Sequence, residues 1–213
     1  MTERLTKIFD EIPRCKVFAD IACDHGYIAE AMIKSGKCDI AYVSDISEKS
    51  LNKARELLKG YIAEKRAFGF VSDGFHGVPE SDVALIAGVG GALTVRILKE
   101  AKSLPYKMVL QPMRNATEVR KTLLALGYAI IKDFTVFADG GFYDIIVTEK
   151  GKDFLNGEEL EFGRDNVRER PAAFRAKMRV ELDKLLSYAE RDNVSARSKK
   201  QILKRAERYK AYV

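Results

Sequence analysis

The sequence predicts an α/β protein: a doubly wound, mostly parallel seven-stranded sheet closed by an antiparallel hairpin, with a helical hairpin behind it. Three observations predict this. From Lys16 to about Lys150, short β-rich runs alternate with longer stretches whose apolar residues recur every three or four positions, as βαβ units require. The last two β-rich runs are separated only by Ala138-Asp139-Gly140-Gly141, too short for a helical crossover and suited to a hairpin turn. After Lys150 the β character disappears.

In chain order, strands are expected near 17–21, 40–45, 67–71, 82–87, 107–110, 129–137 and 142–148, and helices near 27–36, 48–63, 91–102 and 115–126. The last two strands should pair antiparallel. Beyond them, Phe174, Met178, Leu182, Leu185 and Ala189 form one helical stripe, and Ile202, Ala206, Tyr209 and Val213 a second. Asp192-Asn193-Val194-Ser195 supplies the turn and a cap between them. By fold-level analogy, a parallel sheet ending in such a hairpin matches the Rossmann-like class I methyltransferase sheet better than a nicotinamide-binding one.

Composition narrows the class. With 213 residues, 46% hydrophobic and 32% charged, the chain suits one full domain plus an appendage and excludes collagen-like, disordered and disulfide-scaffold classes. Apolar runs such as Val83-Ala84-Leu85-Ile86-Ala87 stop far short of the roughly 20 residues that cross a bilayer. The N-terminus, with Glu3 and no apolar core segment, lacks the pattern of a secretory signal, so a cytoplasmic location is expected. Cys15, Cys23 and Cys38 are odd in number and form no CxxC pair, so neither a disulfide framework nor a metal site is expected. Nothing fixes the oligomeric state, and a monomer is compatible with the sequence.

Charge is unevenly placed. The net charge is +6, of which residues 1–150 carry +1 (21 Lys/Arg, 20 Asp/Glu) and residues 151–213 carry +5 (16 and 11). Val194 to Val213 hold Arg197, Lys199, Lys200, Lys204, Arg205, Arg208 and Lys210 against the single acid Glu207. A basic tail on a nearly neutral body suits a polyanion grip, because neutralising phosphates releases condensed counterions. The same residues also suit a solvated helix face.

The chemistry gathers where strands end. The first strand runs into Asp20-Ile21-Ala22-Cys23-Asp24-His25-Gly26-Tyr27. A dinucleotide would want Gly-x-Gly-x-x-Gly here. Asp20 and Asp24 would instead repel a pyrophosphate, and they suit S-adenosylmethionine (SAM), which carries an α-ammonium and a sulfonium. Asp45 closes the second strand, where a carboxylate can accept ribose hydroxyls, and Ile46 follows it. Asp73-Gly74 follows the third, placing a possible acceptor for the adenine amino group. Ala87-Gly88-Val89-Gly90 follows the fourth and lacks the Lys-Ser/Thr of a P-loop; with little side chain, this turn can floor a methyl donor. Gln111, at the end of the fifth strand, can hydrogen-bond an acceptor base. Tyr27, and Phe142 or Tyr143, are candidates to stack on it, and His25 to orient Asp24 or contact the base. Each carboxylate taken singly is also compatible with a cap or turn role. Asp24, Tyr27 and Gln111 emerge as the catalytic candidates.

At these residues the chain resembles the bacterial TrmK family of SAM-dependent tRNA (adenine-N1)-methyltransferases, which act at tRNA position 22. The resemblance lies in Asp20 to Tyr27, Ile86-Ala87-Gly88-Val89-Gly90-Gly91, Leu110-Gln111-Pro112 and Gly141-Phe142-Tyr143-Asp144-Ile145. The family usually has Gly-Ser/Thr at Ala22-Cys23 and Met at Val89, substitutions that keep small or apolar character. The resemblance implies a methyltransferase domain over 1–155 and a helical, coiled-coil-like RNA-binding domain over 156–213. It also implies methylation of a flipped-out adenine in the D-arm region, and an N-terminal helix from which Arg4 reaches a phosphate. Arg197, Lys199, Lys200, Lys204, Arg205 and Arg208 would then grip the tRNA body. Two other readings remain compatible with the residues: a SAM methyltransferase of another RNA or small-molecule acceptor, and a non-catalytic RNA-binding module with a degenerate cofactor site.

Overall fold

The computed structural model describes residues 1–191 and 193–213. In chain order it contains α1 (Glu3–Glu11), β1 (Val17–Ile21), α2 (Tyr27–Lys34), β2 (Ile40–Asp45), α3 (Glu48–Leu57), α4 (Lys59–Ala63), β3 (Ala67–Val71) and β4 (Val83–Ala87). Then follow α5 (Gly91–Glu100), β5 (Lys107–Gln111), α6 (Ala116–Ala125), β6 (Tyr128–Ala138), β7 (Gly141–Lys150), α7 (Gly157–Phe162), α8 (Arg164–Glu169), α9 (Ala172–Ala189) and α10 (Ala196–Lys210).

All seven strands join one sheet in the order β3-β2-β1-β4-β5-β7-β6. β1 to β5 run parallel, and β7 is antiparallel to both β5 and β6. The fully buried runs, such as Phe18-Ala19-Asp20-Ile21 and Val83 to Ile86, are continuous rather than alternating because helices cover both faces. One core, around Ile8, Phe18, Met32, Leu51 and Val109, lies on the face covered by α1, α2 and α3. The other, around Ile21, Ile97, Leu110 and Leu123, lies under α5 and α6. The β6–β7 turn is tighter than expected: only Asp139 and Gly140 stand outside the strands, both at positive φ (47° and 76°), the twist-matched geometry of a type I′ hairpin.

Two helical expectations differ from the structure. The helix over 48–63 is broken at Leu58, whose backbone leaves helical geometry (φ −94°, ψ 7°) while its side chain is fully buried. The helical hairpin after Lys150 is preceded by two short helices, α7 and α8, each of six residues and too brief to show periodicity. Their local signal is a capping box: the Asn156 side chain accepts from the amide of Glu159, whose carboxylate accepts from the Asn156 amide. Gly163 separates the two helices. Its φ is +94°, and a Cβ there would stand 2.8 Å from Asp133 Oδ1, so only glycine allows α8 to start against β6.

A buried polar network ties the C-terminal helices to the sheet. Arg120 on α6, fully buried, grips Asp133 on β6 through two bonds of 2.7 and 2.8 Å and donates to the carbonyls of Leu160 and Glu161 at 3.2 Å. Lys177 on α9 pairs with Asp144 on β7 at 2.7 Å, and Asn166 on α8 bonds both the amide and hydroxyl of Thr135. Beyond this joint, α9 and α10 pack around Phe162, Phe174, Met178, Tyr209 and Tyr212. The turn expected at Asp192–Ser195 falls partly on Asp192, outside the described residues; Ser195 caps α10 by accepting from the Ser198 amide at 3.2 Å. No described helix is long and apolar enough to cross a membrane.

Candidate active site

Strand order reverses between β1 and β4, and a crevice opens above that switch point at the carboxyl ends of the strands, where open α/β sheets bind ligands. The cleft encloses about 610 Å³, within the range that holds a nucleoside-sized ligand. A second hollow of about 380 Å³ lies at the amino ends of the central strands β4 and β5 and takes in His76. The carboxylates lie in the larger one.

The loop after β1 builds its near wall in an unusual backbone. Ala22 and Asp24 have φ of 59° and 48° and Gly26 has 73°. Left-handed non-glycine residues cost free energy and cluster at functional sites. Gly26 starts α2 with its Cα so close to α3 that an added Cβ would sit 3.0 Å from Ala54 Cβ. This packing turns Asp24, His25 and Tyr27 toward the cleft, which all three line. Asp24 contacts His25 Nδ1 at 2.6 Å and Lys53 at 3.4 Å. Against an upward push from burial, these two hold its carboxyl below the usual range. His25 lies parallel to Tyr27, ring centroids 5.3 Å apart, which presents a two-ring platform at the mouth.

Asp20 is the strained carboxyl of the site. It is 5% exposed, and burial, reinforced by the neighbouring Asp45 charge, pushes its pKa up to about 7. Asp45 itself is locked by two amides, Ser47 at 2.8 Å and Asp24 at 3.3 Å. A buried carboxyl facing a second carboxylate, with no described cation paired to it, is what a bound ammonium would relieve. The residues present therefore fit a cationic methyl carrier and disfavour a pyrophosphate.

The remaining candidates divide. Ala22, Cys23, Ile46, Asp73, Gly74, Ala87, Gly88 and Val89 line the cleft, whereas Gly26 and Gly90 stand behind it as helix starts. Both Asp73 oxygens are engaged by Arg96 on α5, at 2.7 and 2.8 Å. Arg96 and Leu93 also line the cleft. Neither carries a sequence signal, because α5 meets the end of β3 only through the topology. Burial pushes the Cys23 thiol upward, so it is a small neutral wall residue. Gln111 is fully buried and does not line the cleft; its Oε1 accepts from Arg4 Nη1 at 2.6 Å. Phe142 packs on Phe137 at 5.0 Å, and Tyr143 lies under Arg4.

The α10 bases lie away from the cleft on an exposed helix. Arg197, Lys199, Lys200 and Lys204 are exposed with no ion pair among the described residues. Arg205 donates to the Tyr209 hydroxyl within the same helix at 2.6 Å, and Arg208 pairs with Glu161 on α7, so Arg208 also ties α10 to the joint.

Sheet order, switch-point cleft and its carboxylates define a methyltransferase of the Rossmann-like class, and the family model described as "Methyltransferase domain" matches residues 1–146. A Mycoplasma pneumoniae relative whose name carries the words "tRNA methyltransferase" is 32% identical over 155 residues, covering 70% of this chain and 71% of that protein. The tRNA (adenine(22)-N(1))-methyltransferase of Bacillus subtilis is 28% identical over 156 residues, covering 71% and 66%. The B. subtilis TrmK crystal structure superposes with a TM-score of 0.83 at 26% identity, covering 99% of this chain and 96% of that one. M. capricolum TrmK, solved with S-adenosyl-homocysteine, shares the fold (TM-score 0.89, 22% identity, coverage 100% and 97%). The chain belongs to the TrmK family of methyltransferases.

Proposed function

We propose that the protein is a cytoplasmic enzyme that methylates N1 of adenine 22 in tRNA with SAM as methyl donor. The observation that carries this reading is the buried Asp20 carboxyl beside Asp45 at the switch point, which favours a cationic donor. Relatives named for the same reaction support it.

When bound, SAM supplies an electrophilic methyl group on a sulfonium. The chain's own residues have a positioning task, because adenine N1 carries a lone pair and no proton at neutral pH and needs no general base before transfer. Holding nucleophile, methyl and leaving sulfur in line is the main source of rate. Asp20 and Asp24 would face the donor's charges and Asp45 its ribose, while Ala87 to Gly90 keep the floor free of side chains. In a duplex N1 is occupied by pairing, so the base must be unstacked; Tyr27, backed by His25, offers it a surface. In this reading residues 1–155 perform the chemistry. Residues 156–213 grip the RNA body through Arg197, Lys199, Lys200 and Lys204, contacts that carry no base code.

Nucleoside mass analysis after incubation of unmodified tRNA with SAM tests the proposal. The expected result is N1-methyladenosine, absent when position 22 is changed to another base and strongly reduced by Asp45→Ala. Methylation of a different nucleoside would favour another RNA acceptor. SAM binding equally absent from wild type and Asp45→Ala would favour a non-catalytic module.

A further inference from the structure

We infer that Gln111 and Tyr143 are positioning residues that hold the Arg4 guanidinium in the cleft, with Asp139 pinning the start of its helix, ready for the phosphate contact that the family resemblance implies for Arg4. The inference rests on the tRNA reading above and adds how the grip is held.

The anchor begins at the hairpin tip. The Asp139 carboxylate accepts the amides of Glu3 and Arg4 at 3.1 and 3.2 Å. The Thr2 hydroxyl, followed by these amides, holds its carboxyl below the usual range. The first turn of α1 is thereby pinned to the β6–β7 turn, and Glu11 ties the other end of the helix to Lys132 on β6 at 2.8 Å. Between these ties the Arg4 side chain crosses into the cleft, its Nη1 3.6 Å from where a Cβ on Gly88 would stand.

Two neutral partners hold the guanidinium. Gln111 accepts from Nη1 at 2.6 Å, and the Tyr143 ring lies under the group at 5.5 Å. Neither cancels the charge, and the Asp139 carboxylate is already occupied by the start of α1. Of the five N–H donors of an arginine, one is spent on Gln111, leaving a planar fork of the kind that matches phosphate oxygens. Arg4 stands on the β4–β5 side of the cleft, whereas Asp20, Asp24 and Asp45 line it from the ends of β1 and β2. Opposite charges on these two sides sort a cationic donor from a polyanionic acceptor. Gln111, fully buried, thus reaches the substrate only through Arg4.

The test uses the full chain, an unmodified tRNA transcript with adenine at position 22, and affinity measured across salt concentration. Arg4→Ala should weaken tRNA binding about tenfold at low salt and lower the log–log salt slope by about 0.7 to 0.9. Its penalty should therefore shrink roughly threefold between about 50 and 200 mM salt. SAM affinity by calorimetry should not change. Arg4→Lys should keep the slope, whereas Gln111→Glu, which gives the guanidinium a carboxylate partner, should reproduce the slope loss in a folded protein. A wild-type slope in Arg4→Ala, or a wild-type slope in Gln111→Glu, overturns the inference. If the wild type neither binds nor methylates tRNA, the functional reading fails instead; if it does both and the slopes are unmoved, only the role of Arg4 fails.

Discussion

Replacing Asp20 with asparagine should make the free protein more stable at pH 8 and worse at binding SAM. Burial and the Asp45 charge raise the Asp20 carboxyl from 3.8 to about 7, so between those values the folded state binds a proton that the unfolded state has lost. Stability then falls as pH rises through this window and levels off above about pH 7. A gap of roughly 3 pKa units corresponds to at most about 4 kcal/mol. The amide carries no titrating charge, so Asp20→Asn should recover up to that amount at pH 8 and little at pH 4. For a chain of this length the recovery corresponds to roughly 10 °C in midpoint. Urea or thermal unfolding of both proteins from pH 4 to pH 8 measures it. Binding should move the other way, because an ammonium beside the carboxyl favours its ionised form. Wild-type SAM affinity should tighten by up to about tenfold per unit as pH rises toward 7, then flatten. Calorimetry in buffers of different ionisation enthalpy should register proton release near pH 7. Equal stability gaps at pH 4 and pH 8, together with pH-independent affinity, would refute the claim that Asp20 is a strained carboxyl awaiting a cation.

Other perturbations separate the scaffold from the site. Arg120→Met strands Asp133 as an unpaired buried charge and should cost about 3 to 5 kcal/mol in urea denaturation, with much of the loss regained in Arg120→Met/Asp133→Leu; an additive double variant would contradict the pairing. Gly26→Ala forces a side chain into positive φ against Ala54 and should cost at least about 1 to 2 kcal/mol while weakening SAM binding, measured by unfolding and calorimetry on the same sample. Lys199, Lys200 and Lys204 changed together to Ala should lower the tRNA salt slope by about 2 to 3 with SAM affinity unchanged; an unaltered slope would remove α10 from the grip.

Much of the architecture was legible in the chain. Local patterns of period two or near 3.6 report which face of an element is buried, so all seven strands and the helices between β1 and β6 could be placed to within a few residues, except that the helix expected over 48–63 divides at Leu58. Short separation alone specified the antiparallel hairpin. The helices α7 and α8 escaped notice because six residues make too few turns for a stripe, leaving only the Asn156–Glu159 cap as a signal. The acidic residues closing β1, β2 and β3 were visible because parallel strands deliver their carboxyl ends to one edge.

By itself the sequence determined the type and order of the elements, the donor charge preferred at the switch point, and the basic character of the last helix. These depend on residues within a few positions of one another or on sums of charge. Only the tertiary structure decided which groups meet across the fold. Asp73 is spoken for by Arg96, Gln111 lies buried behind Arg4, and a polar network spanning residues 120 to 177 crosses the change of sequence character after Lys150. Such pairings are set by strand order and helix docking, and a linear pattern carries no record of distances between residues brought together by folding.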